Sequence, residues 1–126
     1  MNSLSILYVE DNEGLRDTIS EILEGETHQV VACPDGEQAL TAWSERKFDV
    51  LMTDISLPGM SGTDLARHIL ATGPRQWVVL CSGYEYHEGL TVLGPNVRSL
   101  PKVFDLDHLD ALMSEIAASL RGAPSD

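Results

Sequence analysis

Apolar residues in this chain fall into short runs separated by segments of helical period. Ile6-Leu7-Tyr8-Val9, Val50-Leu51-Met52-Thr53 and Val78-Val79-Leu80-Cys81 are the clearest runs. Runs this short, with no polar alternation, fit strands buried on both faces of a sheet. Between them, Leu15, Ile19, Ile22 and Leu23 stand at i, i+4, i+7 and i+8, which predicts a helix over Glu13 to Glu24. Pro34-Asp35-Gly36 signals a turn and the start of a second helix carrying Ala39, Leu40 and Trp43. A third helix begins near Ser61-Gly62 and carries Leu65 and Ile69. The last begins near Asp105, with Leu109, Leu112, Met113, Ile116 and Leu120 as its apolar face. Further strands are expected at Gln29 to Cys33, Asp49 to Asp54, Gln76 to Cys81 and Val97 to Leu100. Tyr84 to Asn96 holds Gly89, Gly94 and Pro95, so any helix there must be short or irregular. Alternating strands and helices predict βαβ units. The expected fold is α/β and doubly wound, with a flavodoxin-like five-stranded parallel sheet of order 2-1-3-4-5 and five helices.

A chain of 126 residues, 43% of them hydrophobic, supports one domain with a real core. The net charge of −12, from 8 basic and 20 acidic residues, repels nucleic acid phosphates and anionic lipids. Neither nucleic acid nor membrane is therefore expected as a partner, and basic or apolar protein surfaces are. Cys33 and Cys81 lie in apolar runs and read as buried small hydrophobes. The amino terminus has no basic n-region and no run long enough for a signal peptide or a membrane span, so cytoplasmic location is the default expectation. His28, His68, His87 and His108 show no ligand spacing and read as surface or capping residues. Trp43 and Trp77 read as packing residues. No dinucleotide or P-loop glycine motif is present.

Polar residues recur where the strand runs end. Glu10 and Asp11 follow the first run, Asp54 ends the third predicted strand, Ser82 follows the fourth and Lys102 the fifth. Open α/β sheets bind ligands in the crevice at the carboxyl ends of their strands. Three carboxylates, a hydroxyl and an ammonium there read as a magnesium-dependent phosphate site. Magnesium takes hard oxygen ligands, keeps several waters and uses one or two carboxylates plus phosphate oxygens. Asp11 and Asp54 are the candidates for direct ligation, and Glu10, one methylene longer, for ligation through a water. Clustered carboxylates repel one another without a cation, so the cluster itself predicts metal dependence. Taken singly, Glu10 and Asp11 read equally as a charge pair favouring the following helix, Ser82 as a strand-end hydroxyl and Lys102 as a solvated lysine. Their joint placement favours the site. Asp54 can also be a nucleophile, since carboxylates accept phosphoryl groups. Lys102 and the metal can neutralise the transferred oxygens from two sides, and Ser82 can donate a hydrogen bond.

Four runs carry a family resemblance: Leu7-Tyr8-Val9-Glu10-Asp11-Asn12, Thr53-Asp54-Ile55-Ser56-Leu57-Pro58-Gly59-Met60-Ser61-Gly62, Leu80-Cys81-Ser82-Gly83 and Leu100-Pro101-Lys102. In this order they resemble the receiver (CheY-like) domain of two-component response regulators. The resemblance covers nearly the whole chain, and the aspartate turn is its most specific part. It implies a receiver domain over residues 1–121, with 122–126 a flexible tail or linker stub. It implies that Asp54 takes a phosphoryl group from a phosphohistidine on a histidine kinase or phosphotransfer protein. Glu10 and Asp11 would form the acidic pocket for Mg2+, with Asp54 and the backbone carbonyl of Ser56 also facing the ion. Ser82 and Lys102 would engage the phosphoryl group. Such a domain is not a conventional enzyme: it catalyses its own phosphorylation and autodephosphorylation. In the family, phosphorylation rearranges the surface of the fourth helix, fifth strand and fifth helix, and thereby the binding of a downstream protein.

The chain departs from that pattern in three places. Ser99 stands three positions before the lysine, where many receivers carry an aromatic residue. Val103 stands where many have proline, and the proline here, Pro101, precedes the lysine. The stretch between Ser82 and Lys102 is slightly short. These departures imply an atypical switch, with output through a different face or a reshaped fourth helix. Ser56 and Tyr84, each two positions beyond an active-site residue, flank the expected path of hydrolytic water. Two alternatives use the same residues. A magnesium-dependent phosphatase with an aspartyl nucleophile would want a second acid close after Asp54, but position 56 is Ser and the next acid is Asp64. A receiver-like binding module would use the fold without being phosphorylated.

Overall fold

In the computed structural model the described residues are 3–82, 93–102 and 105–122. Five strands form one parallel sheet: β1 (Ser5–Val9), β2 (Gln29–Cys33), β3 (Val50–Asp54), β4 (Trp77–Ser82) and β5 (Val97–Pro101). Their spatial order is β2-β1-β3-β4-β5, the predicted 2-1-3-4-5. Four helices are present among the described residues: α1 (Glu13–Gly25), α2 (Gly36–Glu45), α3 (Gly62–Thr72) and α4 (Leu106–Gly122). The expected short helix of the 84–96 stretch, with Tyr84 and His87, falls largely outside the described residues, as does Val103.

The two faces of the sheet bury different residues of the same strands. Ile6 and Tyr8, Val50 and Met52, Val79 and Cys81, and Leu100 pack with Ile19 and Leu23 of α1 and with Leu109, Met113 and Ile116 of α4. Leu7 and Val9, Leu51, Val78 and Leu80, and Val97 pack with Ala39 of α2 and with Leu65, Ala66 and Ile69 of α3. This alternation explains the runs: β3 and β4 are buried at every residue, so both faces are apolar until the strand ends at Thr53, Asp54 and Ser82. The edge strands β2 and β5 are only partly buried and carry the mixed sequences QVVAC and VRSLP.

Capping follows the local sequence. Asn12, Asp35 and Ser61 stand at the N-caps of α1, α2 and α3, and their side chains accept from the N–H groups of Leu15, Gln38 and Asp64. Both cysteines are free and buried, as expected of small hydrophobes. Trp77 is in the core under the Arg98 guanidinium, and Trp43 stacks on Phe48 with ring centroids 5.8 Å apart. His68 and His108 are exposed. His28 is not a surface residue: it is buried, and its Nδ1 accepts from the Leu4 N–H at 3.1 Å. The turn after α1 delivers it inward, and one isolated histidine in a polar stretch gives no sign of that.

That turn is strained. Thr27 has φ of 74°, a left-handed backbone that a β-branched side chain adopts at a cost of about 1–2 kcal/mol. The strain is held by two hydrogen bonds, from Thr27 N–H to Glu24 O (3.0 Å) and from His28 N–H to Leu23 O (3.2 Å). Neither needs the threonine side chain. Thr27→Gly therefore raises unfolding free energy by about 0.5–1 kcal/mol after the glycine's extra unfolded-state entropy is deducted. A urea titration checks this, and a lower midpoint would contradict it.

Candidate active site

Strand alternation brings the charged residues together. Ile6, Tyr8 and Glu10 follow one another on one side of β1 and its extension, as do Val50, Met52 and Asp54 on β3 and Leu100 and Lys102 on β5. Continuing the register Val9↔Thr53 by one residue sets Glu10 opposite Asp54. At the sheet's carboxyl edge the apolar side of the α1/α4 face thus ends in two carboxylates and an ammonium.

Lys102 Nζ lies 2.9 Å from Asp54 Oδ2 and 2.8 Å from Glu10 Oε1. The first contact is a hydrogen bond; the second is an ion pair that leaves Glu10 Oε1 without a well-aligned hydrogen bond. Glu10 is 1% exposed and Asp54 5%, so their charges depend on this lysine. Glu10 Oε2 accepts from the Asn12 N–H at 3.0 Å, and among the described residues Asp54 Oδ1 takes only a long 3.3 Å contact from the Ser56 N–H. Asp11 is exposed and completes the cluster: Glu10, Asp11 and Asp54 each place a carboxylate oxygen within 4.8 Å of the others. Ser82, buried at the end of β4, gives its carbonyl to the Lys102 N–H at 2.7 Å.

Burial pushes the Glu10 carboxyl upward, against the pull of Lys102 and the Asn12 N–H, and the net shift is upward. Burial would lower the Lys102 ammonium, but its close pairing with the Glu10 and Asp54 charges outweighs it, and its pKa is raised. Burial also raises Tyr8 and Cys81, on the same face, so the phenol and thiol stay protonated. Three carboxylates with one oxygen buried and poorly satisfied form a hard-oxygen donor set suited to Mg2+.

The family model for the response regulator receiver domain matches residues 6–113. The chain belongs to this family. Over 69 residues it is 41% identical to the virulence sensor protein BvgS of Bordetella pertussis, covering 55% of this chain and 6% of that protein. It is 38% identical over 69 residues to the regulatory protein VanRB of Enterococcus faecalis, covering 55% of this chain and 31% of that protein. The chain thus spans a third or less of either relative. Among solved structures it resembles the response regulator TrrA of Thermotoga maritima in complex with Mg2+-BeF. The TM-score is 0.80 and the identity 25%, over 89% of this chain and 97% of that one.

In this receiver domain three residues shape the site beyond those singled out for chemistry. Asn12 caps α1 through its side chain and donates its N–H to Glu10. Arg16 donates from Nη1 to the Glu10 carbonyl at 2.8 Å. Gly62 lets α3 lean on the end of β3: a Cβ there would stand 1.9 Å from Asp54 O and 2.9 Å from Ile55 Cα. Its N–H donates to Ile55 O at 2.8 Å. Arg16, one turn into a helix, is visible in the sequence only as a surface basic residue. Gly62 stands in the aspartate-turn motif, but its reason is a tertiary contact.

Two predictions follow from this geometry. Both atoms that meet a Cβ at Gly62 are backbone and cannot step aside, so Gly62→Ala costs about 3 kcal/mol. Gly73→Ala has open space and φ of −154°, and gains about 0.5 kcal/mol. Denaturation of both variants separates a close approach from general glycine entropy; equal effects would refute the contact. The second concerns pH. Glu10 and Lys102 both have raised folded pKa values, so both bind protons more tightly folded than unfolded. Stability from Glu10 is full below its ordinary 4.5 and falls as pH rises through the raised value; that from Lys102 is full below 10.5 and is lost above it. Lys102→Met should remove the alkaline loss and, by taking away a lowering partner, extend the Glu10 loss to higher pH. Unfolding measured without Mg2+ from about pH 5 to about pH 11 tests this; an unchanged alkaline slope would exclude the pairing.

Proposed function

We propose that this receiver domain is the phosphoacceptor of a two-component phosphorelay. A histidine kinase or histidine phosphotransfer protein would supply the phosphoryl group to Asp54. The observation that supports this most is one ammonium shared by Asp54 and a second buried carboxylate, with a third carboxylate beside them. In the transfer an Asp54 oxygen forms a bond to phosphorus as the phosphorus–nitrogen bond of the phosphohistidine breaks, and a proton carried on the other ring nitrogen lets the imidazole leave neutral. Asp54 Oδ1 suits the attack, because Oδ2 is held by Lys102 while Oδ1 has only the long contact from Ser56. Lys102 keeps its positive charge beside the transferred oxygens, and Ser82 donates its hydroxyl to one of them. Glu10, Asp11, Asp54 and the Ser56 carbonyl would hold Mg2+, which supplies charge neutralisation for the incoming phosphate. The magnesium complex of TrrA, a structural relative, is consistent with this assignment.

The reading extends to domain organisation and output. On this reading residues 1–121 are the receiver unit, and the last helix ends at Gly122. Phosphorylation shifts a two-state equilibrium that sets the affinity for a downstream protein. Ser99 is half-buried on β5 opposite Leu80, on the α2/α3 face, and offers no ring to rotate. Output therefore relies on something other than an aromatic at this position. The phosphatase alternative gains no support: Asp64 is exposed on α3 and engages Arg67 at 3.4 Å. No helix of the described residues is long and apolar enough to cross a membrane.

Intact mass after incubation with a small phosphodonor tests the chemistry. One phosphoryl adduct is expected with Mg2+, none with a chelator and none in Asp54→Asn. A folded, magnesium-binding protein that takes up no phosphoryl group would leave the unphosphorylated binding module as the better reading.

A further inference from the structure

Among the described residues, Asp11 is the one carboxylate of the cluster whose side chain nothing holds directly. Glu10 has Lys102 and the Asn12 N–H, and Asp54 has Lys102 and the Ser56 N–H. No hydrogen bond or ion pair to the Asp11 side chain occurs among the described residues. Its position is therefore set by the peptide groups on either side of it. One of them, the Glu10–Asp11 peptide, is tied to Arg16, whose guanidinium donates to the Glu10 carbonyl at 2.8 Å. The other, Asp11–Asn12, donates its N–H to Glu10 Oε2 at 3.0 Å. The Glu10 N–H is fixed as well, on Cys33 O at 3.0 Å. Arg16 is half-buried and its side chain reaches back over the loop, instead of out toward an acidic partner on the helix surface.

We propose that Arg16 is a positioning residue for the metal site, fixing the backbone around Asp11 so that its carboxylate stands ready beside Glu10 and Asp54. This rests on the reading of the cluster as a magnesium site. A charge beside the cluster and a clamp on its backbone have opposite consequences. As a nearby cation, Arg16 repels a divalent ion, so its removal would tighten binding. As a clamp, it spares the ion the ordering of the loop, so its removal weakens binding, on the order of 10-fold or more for a supporting group behind a metal ligand. Lysine keeps the charge, but its nitrogen lies one bond short of the Nη1 that reaches the Glu10 carbonyl, so Arg16→Lys should lose affinity too.

Calorimetric titration of Mg2+ into wild type, Arg16→Met and Arg16→Lys reads the sign directly. Amide exchange at Asp11 and Asn12 in the metal-free proteins gives a second readout. Weaker binding in both variants, with faster exchange at these two amides and native circular dichroism, is the expected result. Unchanged or tighter binding in Arg16→Met overturns the clamp. Should Arg16→Met fail to fold, Arg16→Lys decides alone: wild-type affinity and exchange there overturn it. Absence of magnesium binding in the wild type would reject the metal-site reading itself, and is seen before any variant is compared.

Discussion

The sharing of one ammonium between two buried carboxylates is the interaction on which this site depends. Glu10 is almost fully buried and Asp54 nearly so, and both lie at the end of an apolar face. A carboxylate in such a place costs several kcal/mol unless it is paired. Lys102 lies within 3 Å of both, and part of its side chain stays in contact with solvent. Burial alone would lower its pKa; the two anions raise it by more. One charge thus serves two sites, and the cluster keeps a net negative charge even when Lys102 is counted. That surplus is what a divalent cation or an incoming phosphoryl–metal pair can use.

Everything beneath the cluster serves to hold its strands in register. Glu10, Asp54 and Lys102 come from separate strands, and their meeting requires each strand to end on the same side of the pleat. A slip of one residue in β3 would put Thr53 where Asp54 stands and turn the carboxylate to the α2/α3 face. The central strands prevent this by being apolar on both faces, because any slip leaves a mismatched core on two sides at once. Further restraints act at the strand ends. Ile55 N–H donates to Cys81 O at 2.9 Å, Lys102 N–H to Ser82 O at 2.7 Å, and α3 rests on the Asp54 peptide at Gly62. Precision at Asp54 is therefore a property of the backbone more than of its side-chain contacts.

Much of this was legible in the sequence because buried parallel strands must be apolar throughout. Their runs, and the change to helical period between them, were readable within a residue or two: Gln29–Cys33 and the start of α1 at Glu13 matched, while Asp49 and Gln76 proved to flank their strands. Asp49 and Gln76 use their polar groups next to the strand ends, Asp49 Oδ2 on Ser5 N–H and Gln76 Nε2 on Asp49 O. Strand-end chemistry at Glu10, Asp54 and Lys102 was visible for the same topological reason. What the sequence hid depends on contacts between distant segments. The burial of His28, the closeness of Gly62 to Asp54 and the reach of Arg16 to Glu10 follow from how a turn or a helix sits, which no local pattern encodes.

The acidic cluster is hard to understand as a stability device. Replacing a buried ion network by apolar side chains is often neutral or favourable, and a chain of net charge −12 gains nothing from concentrating three of its carboxylates at one point. The β1 and β3 faces below are lined mainly by apolar side chains. The buried hydroxyl of Tyr8, in β1, has no hydrogen-bond partner among the described residues and adds to the cost on the same face. A fold that accepts these penalties at and just below the carboxyl edge of its sheet spends stability in the way a site for receiving charge requires. The physical case for phosphoryl chemistry at Asp54 thus stands on the energetics of the cluster, alongside the family to which the chain belongs.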